Sequence, residues 1–228
     1  ENSEVLKQSY NFPETINSIC YSELRSSITN DSEPISNWSQ DKISRWTSEI
    51  KGKRLNLKKE ALIEALAVIR RAVFIQTKFT LTSTQLLGIL SAVSRKENKG
   101  RLMQILTGEG KSIIICSIAI IYAVGGNKVD VVTSSPVLAQ RDAKERKGLF
   151  EMFGLTVSDN IDRTPYQRGP KACYSADIVY GECSQFQFDF LFDEFGGLGT
   201  LNGRKDAICI VDEVDSMLLD DCSKMARL

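Results

Sequence analysis

The sequence predicts an α/β fold in which a mainly parallel sheet is flanked by helices and preceded by a helical N-terminal region. In the second half of the chain, short apolar runs alternate with longer helical patterns, as in the β–α units that build parallel sheets. A glycine-rich turn also joins an apolar run to an apolar helix at residues 102–124. Sheets of this kind bind ligands beyond the carboxyl ends of their strands, where we expect the functional residues.

The first half of the chain is predicted to be helical. Residues 1–40 predict short helices or loops, and Ser39, with an acidic residue soon after it, predicts a helix start. Residues 58–79 predict a helix with one buried face, because aliphatic side chains recur at helical spacing: Leu62, Leu66, Ile69 and Val73. Ser83 or Thr84 is expected to cap a further helix that runs to residue 94.

The second half predicts four buried strands, at residues 102–106, 129–133, 177–180 and 207–211. Helices are predicted between them, at residues 112–124, 136–153 and 183–195. We therefore expect two domains: a helical lead-in over residues 1–78 and an α/β domain over residues 79–228. The abrupt start and the end just past an acidic motif suggest a sequence cut from a longer protein.

The composition excludes several classes of site. Basic and acidic residues number 29 each, so no overall positive charge favours nucleic acid as a partner, although a local basic groove is compatible with this balance. The chain has no histidine, which excludes histidine-based triads. Its six cysteines show no CxxC spacing, which argues against structural zinc and favours reduced thiols in a cytoplasmic protein. Acid–base chemistry is therefore left to carboxylates, lysine, tyrosine or cysteine.

No targeting or membrane segment is predicted. The N-terminal residues are polar and lack the apolar core of a signal peptide. The longest apolar stretch, residues 113–124, is well short of the about 20 residues that span a bilayer. We interpret it as a buried helix.

The strongest motif is TGEGKS, formed by Thr107, Gly108, Glu109, Gly110, Lys111 and Ser112. The two glycines allow a tight turn whose N–H groups face phosphate oxygens, and the following helix adds its positive dipole end. Lys111 can reach the outer phosphates, where it assists catalysis, and the Ser112 hydroxyl can bind Mg²⁺. These residues predict a nucleotide-binding site.

A second motif, VDEVD, places Asp212 and Glu213 at the end of a predicted strand. Asp212 is predicted to hold Mg²⁺ through water, and Glu213 to orient and deprotonate an attacking water molecule. An acidic turn after a strand is common in α/β proteins. The phosphate-loop motif upstream is what favours the catalytic interpretation.

Gln85 and Arg141 are further candidates for nucleotide binding. The Gln85 amide offers one donor and one acceptor that suit an adenine edge, and Arg141 in VVTSSPVLAQRD could face the phosphates. A surface glutamine near a helix start and an exposed helix arginine are the simpler alternatives. The phenylalanines of residues 186–195 are more typical of a core than of a base-stacking platform.

The order of these motifs resembles the motor domain of SecA, the bacterial preprotein translocase ATPase. TQLLG, TGEGKS, VVTSSPVLAQRD, GLFEMFGLTV, DIVYGECSQFQFDFL and VDEVDSMLL follow one another as in that family, over about residues 38–219. The resemblance implies a RecA-like nucleotide-binding domain with ATP and Mg²⁺ as cofactors, adenine recognition by Gln85 and a position near the nucleotide for Arg141. It also implies a second RecA-like domain, a polypeptide substrate and a membrane channel as partners, and peripheral attachment to a membrane.

The chain departs from the family pattern mainly outside the ATP-binding residues. Leu106 replaces an arginine, residues 134–137 replace Val-Asn-Asp-Tyr, and residues 183–184 replace Asn-Asn. ATP binding is therefore better supported than protein export. Two alternatives are a helicase-like, nucleic-acid-dependent ATPase, which the neutral charge and the helical lead-in disfavour, and a non-catalytic scaffold, which the intact phosphate and magnesium motifs disfavour.

Overall fold

A computed structural model describes residues 11–51, 59–94, 100–161, 169–205 and 207–217. The chain forms two compact units, Glu1–Gly125 and Gly126–Leu228. The predicted division into residues 1–78 and 79–228 stays a prediction. No described helix is both long and apolar enough to cross a lipid bilayer.

The described part of the first unit is helical. Its helices are α1 (Phe12–Cys20), α2 (Gln40–Ile50), α3 (Lys59–Thr77), α4 (Ser83–Val93) and α5 (Lys111–Val124), with a 3₁₀ turn at Ile35–Asn37. Ser39 is the N-cap residue of α2, as predicted. The predicted apolar face of α3 is confirmed, because its four aliphatic side chains are at most 3% exposed.

The cap of α4 is Thr82, so the prediction of Ser83 or Thr84 is wrong. Thr82 has an extended backbone, and its hydroxyl accepts a hydrogen bond from the Gln85 N–H at 3.2 Å. The Gln85 side chain accepts one in return from the Thr82 N–H at 3.0 Å. The N-cap of this reciprocal capping box lies one residue before Ser83 and two residues before Thr84.

A buried carboxylate joins the helices of the first unit. Glu64 on α3 is 4% exposed and accepts hydrogen bonds from the Trp46 indole N–H at 2.7 Å and from the Ser27 N–H and hydroxyl at 2.9 and 2.8 Å. The Ser26 hydroxyl is a fourth donor. Burial of this charge is tolerated because its lone pairs are occupied by donors.

The second unit contains a four-stranded parallel sheet, which confirms the predicted fold class. Its strands are β1 (Val129–Thr133), β2 (Val157–Asp159), β3 (Ile178–Glu182) and β4 (Ile208–Val211), in the order β2-β3-β1-β4. Helices α6 (Pro136–Met152) and α7 (Cys183–Glu194) pack against β1 and β3. The two central strands are almost wholly buried, as continuous apolar runs predict for a parallel sheet.

Three details of the predicted strands are wrong. Residues 102–106 form no strand, and Leu102 and Leu106 are 83% and 67% exposed. An apolar run becomes a strand only where a neighbouring strand takes up its backbone hydrogen bonds, and the described part of the first unit has helices alone. Strand β4, predicted to be buried, lies at the sheet edge and alternates between half-buried and exposed residues. Strand β2 was missed, because three half-buried residues carry too little pattern.

Candidate functional site

The predicted phosphate loop turns through two left-handed glycines. Gly108 has φ +88° and Gly110 has φ +80°, a region that residues with a Cβ rarely adopt. The Glu109 N–H donates to the Leu106 carbonyl at 3.2 Å, which closes the turn. Gly110 is then the N-cap of α5, and its carbonyl accepts from the N–H of Ile114 at 3.3 Å. The helix predicted at residues 112–124 is confirmed, and it starts at Lys111.

The N-terminus of α5 is suited to an anion. Gly110 has no side chain that could cap the first N–H groups, and no acidic residue lies in the first turn. The positive end of the helix dipole is therefore not neutralised from within the helix. Lys111 and Ser112 are half-buried in this first turn, while Thr107 and Glu109 are exposed. The loop thus offers backbone N–H groups, one ammonium and one hydroxyl at one helix end.

Gln85 contacts the phosphate loop directly. Its Nε2 donates to the Glu109 carbonyl at 3.0 Å, across 24 residues of sequence. Its Oε1 accepts a hydrogen bond from the Thr82 N–H, so the same amide bridges the start of α4 and the loop. Nε2 has a second N–H and Oε1 a second lone pair, which is the donor–acceptor pair expected for an adenine edge. The structure therefore brings together Gln85 and the glycine-rich turn.

The close approach of Gln85 also explains the glycine at position 110. A Cβ built on Gly110 would lie 2.4 Å from Gln85 Nε2, which is shorter than real Cβ contacts allow. A Cβ on Gly108 would meet no atom within 4 Å. The two glycines thus have different roles: both allow the turn, and Gly110 alone makes room for the amide.

In the second unit, the predicted acidic pair lies at the carboxyl end of β4. The Asp212 N–H donates to the Val132 carbonyl at 2.8 Å, which extends the pairing of β4 with β1. Glu213 follows with φ +57°, and its Oε2 accepts a hydrogen bond from the Ser134 hydroxyl at 2.5 Å. Both acids are half-buried. The position at the strand end agrees with the sequence, and the roles of the two acids toward a metal ion and a water molecule stay predictions.

Ser134 was missed as a partner of this pair. The signal was available, because Ser134 directly follows β1 and the carboxyl ends of neighbouring parallel strands lie side by side. This signal can be used only when β1 and β4 are known to be neighbouring strands. That order is a property of the sheet and not of either motif.

Arg141 lies on α6 and forms an exposed ion pair. Its Nε and Nη2 donate to Asp142 Oδ1 at 2.9 and 2.7 Å, and its side chain is 52% exposed. The hydrogen bonds that Arg141 donates to Asp142 raise the pKa of the guanidinium above its usual value. This is the exposed helix arginine of the simpler alternative, and its contact with a nucleotide stays a prediction.

The predicted magnesium ligands suit the ion chemically. A hydroxyl and a carboxylate are the hard oxygen donors that Mg²⁺ prefers, and such sites commonly use one or two carboxylates with water and substrate phosphate. Ser112 is in the first unit and Asp212 in the second. The described residues contain no cluster of three or more cysteine or acidic side chains that could hold a metal alone.

Comparisons with known proteins agree with the motif order. The model of the SecA DEAD-like domain family matches residues 7–226. The protein translocase subunit SecA of Brachyspira hyodysenteriae is 34% identical over 179 residues, which cover 76% of this chain and 17% of the relative. The Amoebophilus asiaticus and Alcanivorax borkumensis proteins of the same name are each 36% identical, over 54% and 71% of this chain and 11% and 17% of their own lengths.

The chain thus spans less than a fifth of the length of these relatives. The family match extends over almost all of its residues, and the parallel sheet with flanking helices agrees with a RecA-like domain. The chain therefore belongs to the SecA DEAD-like domain family.

Proposed function

We propose that this domain binds ATP with Mg²⁺ and, together with a second RecA-like domain, hydrolyses it to move a polypeptide. The observation that carries the proposal is the hydrogen bond from Gln85 to the backbone of the glycine-rich turn. It joins the candidate for adenine recognition to the candidate for phosphate binding within one compact unit.

Each site residue has a proposed role. The N–H groups of residues 107–112 bind phosphate oxygens, and Lys111 neutralises the charge that develops on the outer phosphates. Ser112 and Asp212 are each proposed as a ligand of Mg²⁺, which would supply further positive charge. Glu213 orients the attacking water and takes its proton, because the chain has no histidine to do so. Arg141 contacts the nucleotide after its ion pair with Asp142 breaks.

The polypeptide substrate and a membrane channel are proposed as partners because the relatives are named protein translocase subunits. A second RecA-like domain, which the resemblance to SecA implies, is proposed to complete the ATP site with its arginines. Without that domain we expect weak ATP binding and very slow turnover.

The phosphate-loop role is tested by titration of this chain with a fluorescent ATP analogue and Mg²⁺. Lys111→Ala should abolish binding, since it removes the side chain that reaches the outer phosphates. Lys147→Ala is the matched control, because this lysine is 63% exposed and pairs with Glu151 at the surface. Equal affinity of Lys111→Ala and the control would contradict the assignment.

ATP hydrolysis is tested in the full-length protein. Glu213→Gln should keep ATP binding and stop hydrolysis, because the amide cannot accept the proton of water. The effect of added unfolded polypeptide on hydrolysis is compared with that of RNA. Stimulation by RNA alone would favour a helicase-like activity over polypeptide movement.

A further inference from the structure

The strand order brings the segment after β1 beside the acidic motif. Strands β1 and β4 run parallel with Val132 opposite Val211. The bond from the Asp212 N–H to the Val132 carbonyl continues this pairing one step past the end of β4. In this register Ser134, two residues after Val132, is level with Glu213, two residues after Val211, so the two residues emerge next to each other at the same edge of the sheet.

A short turn at Ser134 and Ser135 connects β1 to α6. The Thr133 hydroxyl donates to the Ser135 carbonyl at 2.9 Å, and Ser135 takes the N-cap position of α6, with Pro136 in the first turn. Serine side chains at such places often bond to nearby backbone. The Ser134 hydroxyl instead donates to Glu213 Oε2, 79 residues away in sequence.

Glu213 has an unusual backbone that its surroundings must maintain. Its φ of +57° is left-handed, which is uncommon for a residue with a long side chain. The Glu213 carbonyl accepts from the Met217 N–H at 3.3 Å, and the carboxylate is held by Ser134. Strained residues of this kind persist when contacts hold them, and they concentrate at functional sites.

We propose that Ser134 is a positioning residue for Glu213. Its hydroxyl anchors Oε2, which restricts the orientation of the carboxylate that activates water. A general base works well only when it is held within hydrogen-bonding distance of the proton it removes. This inference rests on the proposed role of Glu213 as the residue that activates water.

The test compares two nearly isosteric variants, Ser134→Thr and Ser134→Val, in the longest natural form of the protein. Threonine keeps the hydroxyl and valine replaces it with a methyl group. Ser134→Val should lower kcat for ATP hydrolysis about tenfold, a change of about 1.4 kcal/mol in the activation barrier. KM for ATP and the thermal midpoint should match those of Ser134→Thr, which should keep near-normal kcat.

Two further variants show whether any substitution in this turn lowers kcat. Ser134→Ala removes the hydroxyl without adding a branched side chain, and it should lower kcat as Ser134→Val does. Ser135→Ala is the matched control, since this neighbouring serine makes no side-chain cap bond, and its kcat should be unchanged. Equal kcat for the valine, alanine and threonine variants would overturn the inference.

A Glu213→Gln background separates this inference from the proposed function. If Glu213→Gln alone retains turnover, the proposed role of Glu213 is wrong and the inference falls with it. If Glu213→Gln stops turnover but Ser134→Val does not lower it, only the role of Ser134 is wrong. If both hold, Ser134→Val should cause no further loss in residual hydrolysis by Glu213→Gln, because the two side chains act as one unit.

Discussion

Replacement of Gly110 by alanine should destabilise the first unit more than the same replacement at Gly108. Both residues are left-handed, and alanine in that region costs about 1–2 kcal/mol of backbone strain. At Gly108 the new Cβ meets no atom within 4 Å, so strain is the whole cost. At Gly110 the Cβ would lie 2.4 Å from Gln85 Nε2, so the amide must move.

The additional cost follows from the bonds that the Gln85 amide makes. Movement breaks its hydrogen bonds to the Glu109 carbonyl and the Thr82 N–H, both 3.0 Å long. Each is worth about 0.5–1.5 kcal/mol. We therefore expect a loss of about 1–2 kcal/mol for Gly108→Ala and about 2–5 kcal/mol for Gly110→Ala in the free energy of unfolding.

Urea unfolding followed by tryptophan fluorescence is the assay. Both tryptophans of the chain, Trp38 and Trp46, are buried in the first unit, so their fluorescence reports on that unit. In a Gln85→Ala background the clash disappears, and Gly110→Ala should then cost no more than Gly108→Ala. Equal destabilisation by the two glycine variants in the wild-type background would refute this account of position 110.

Two other predictions concern the second unit. The Arg204 side chain is 3% exposed and donates to Asp130 and to four backbone carbonyls. Arg204→Met should therefore lower the free energy of unfolding by about 3–5 kcal/mol, measured by calorimetry. Lys205→Met is the control and should have little effect, because Lys205 is exposed. Burial alone would raise the pKa of Asp177, but hydrogen bonds from Thr156 and Lys128 hold the pKa of this carboxyl below its usual value. A carboxyl whose pKa is lowered in the folded state stabilises the protein above about pH 4. This stabilisation is lost as the pH falls through the folded-state pKa. Urea unfolding of Asp177→Asn at pH 6 and pH 3 should therefore show a smaller pH dependence than that of the wild type, and an equal dependence would contradict the assignment.

Much of the fold could be predicted because its signals are local. The apolar face of α3, the start of α5 at the glycine-rich turn and the alternation of strands and helices each depend on residues within one short window. Two of the wrong predictions depend on neighbouring strands. Residues 102–106 have the composition of a strand but pair with no other described strand. Strand β4 has an apolar run but lies at the edge of the sheet.

For the candidate site, the sequence alone determined which residue types are present and in what order. The phosphate-loop motif, the acidic pair and the family follow from these short motifs, because glycine, lysine, serine and carboxylates at such spacings have few other common uses. Tertiary structure decided their partners. The contact of Gln85 with Glu109 depends on how α4 packs beside the loop, and that of Ser134 with Glu213 on the register of two parallel strands. Such contacts join residues distant in sequence, and no local pattern specifies which distant segments become neighbours.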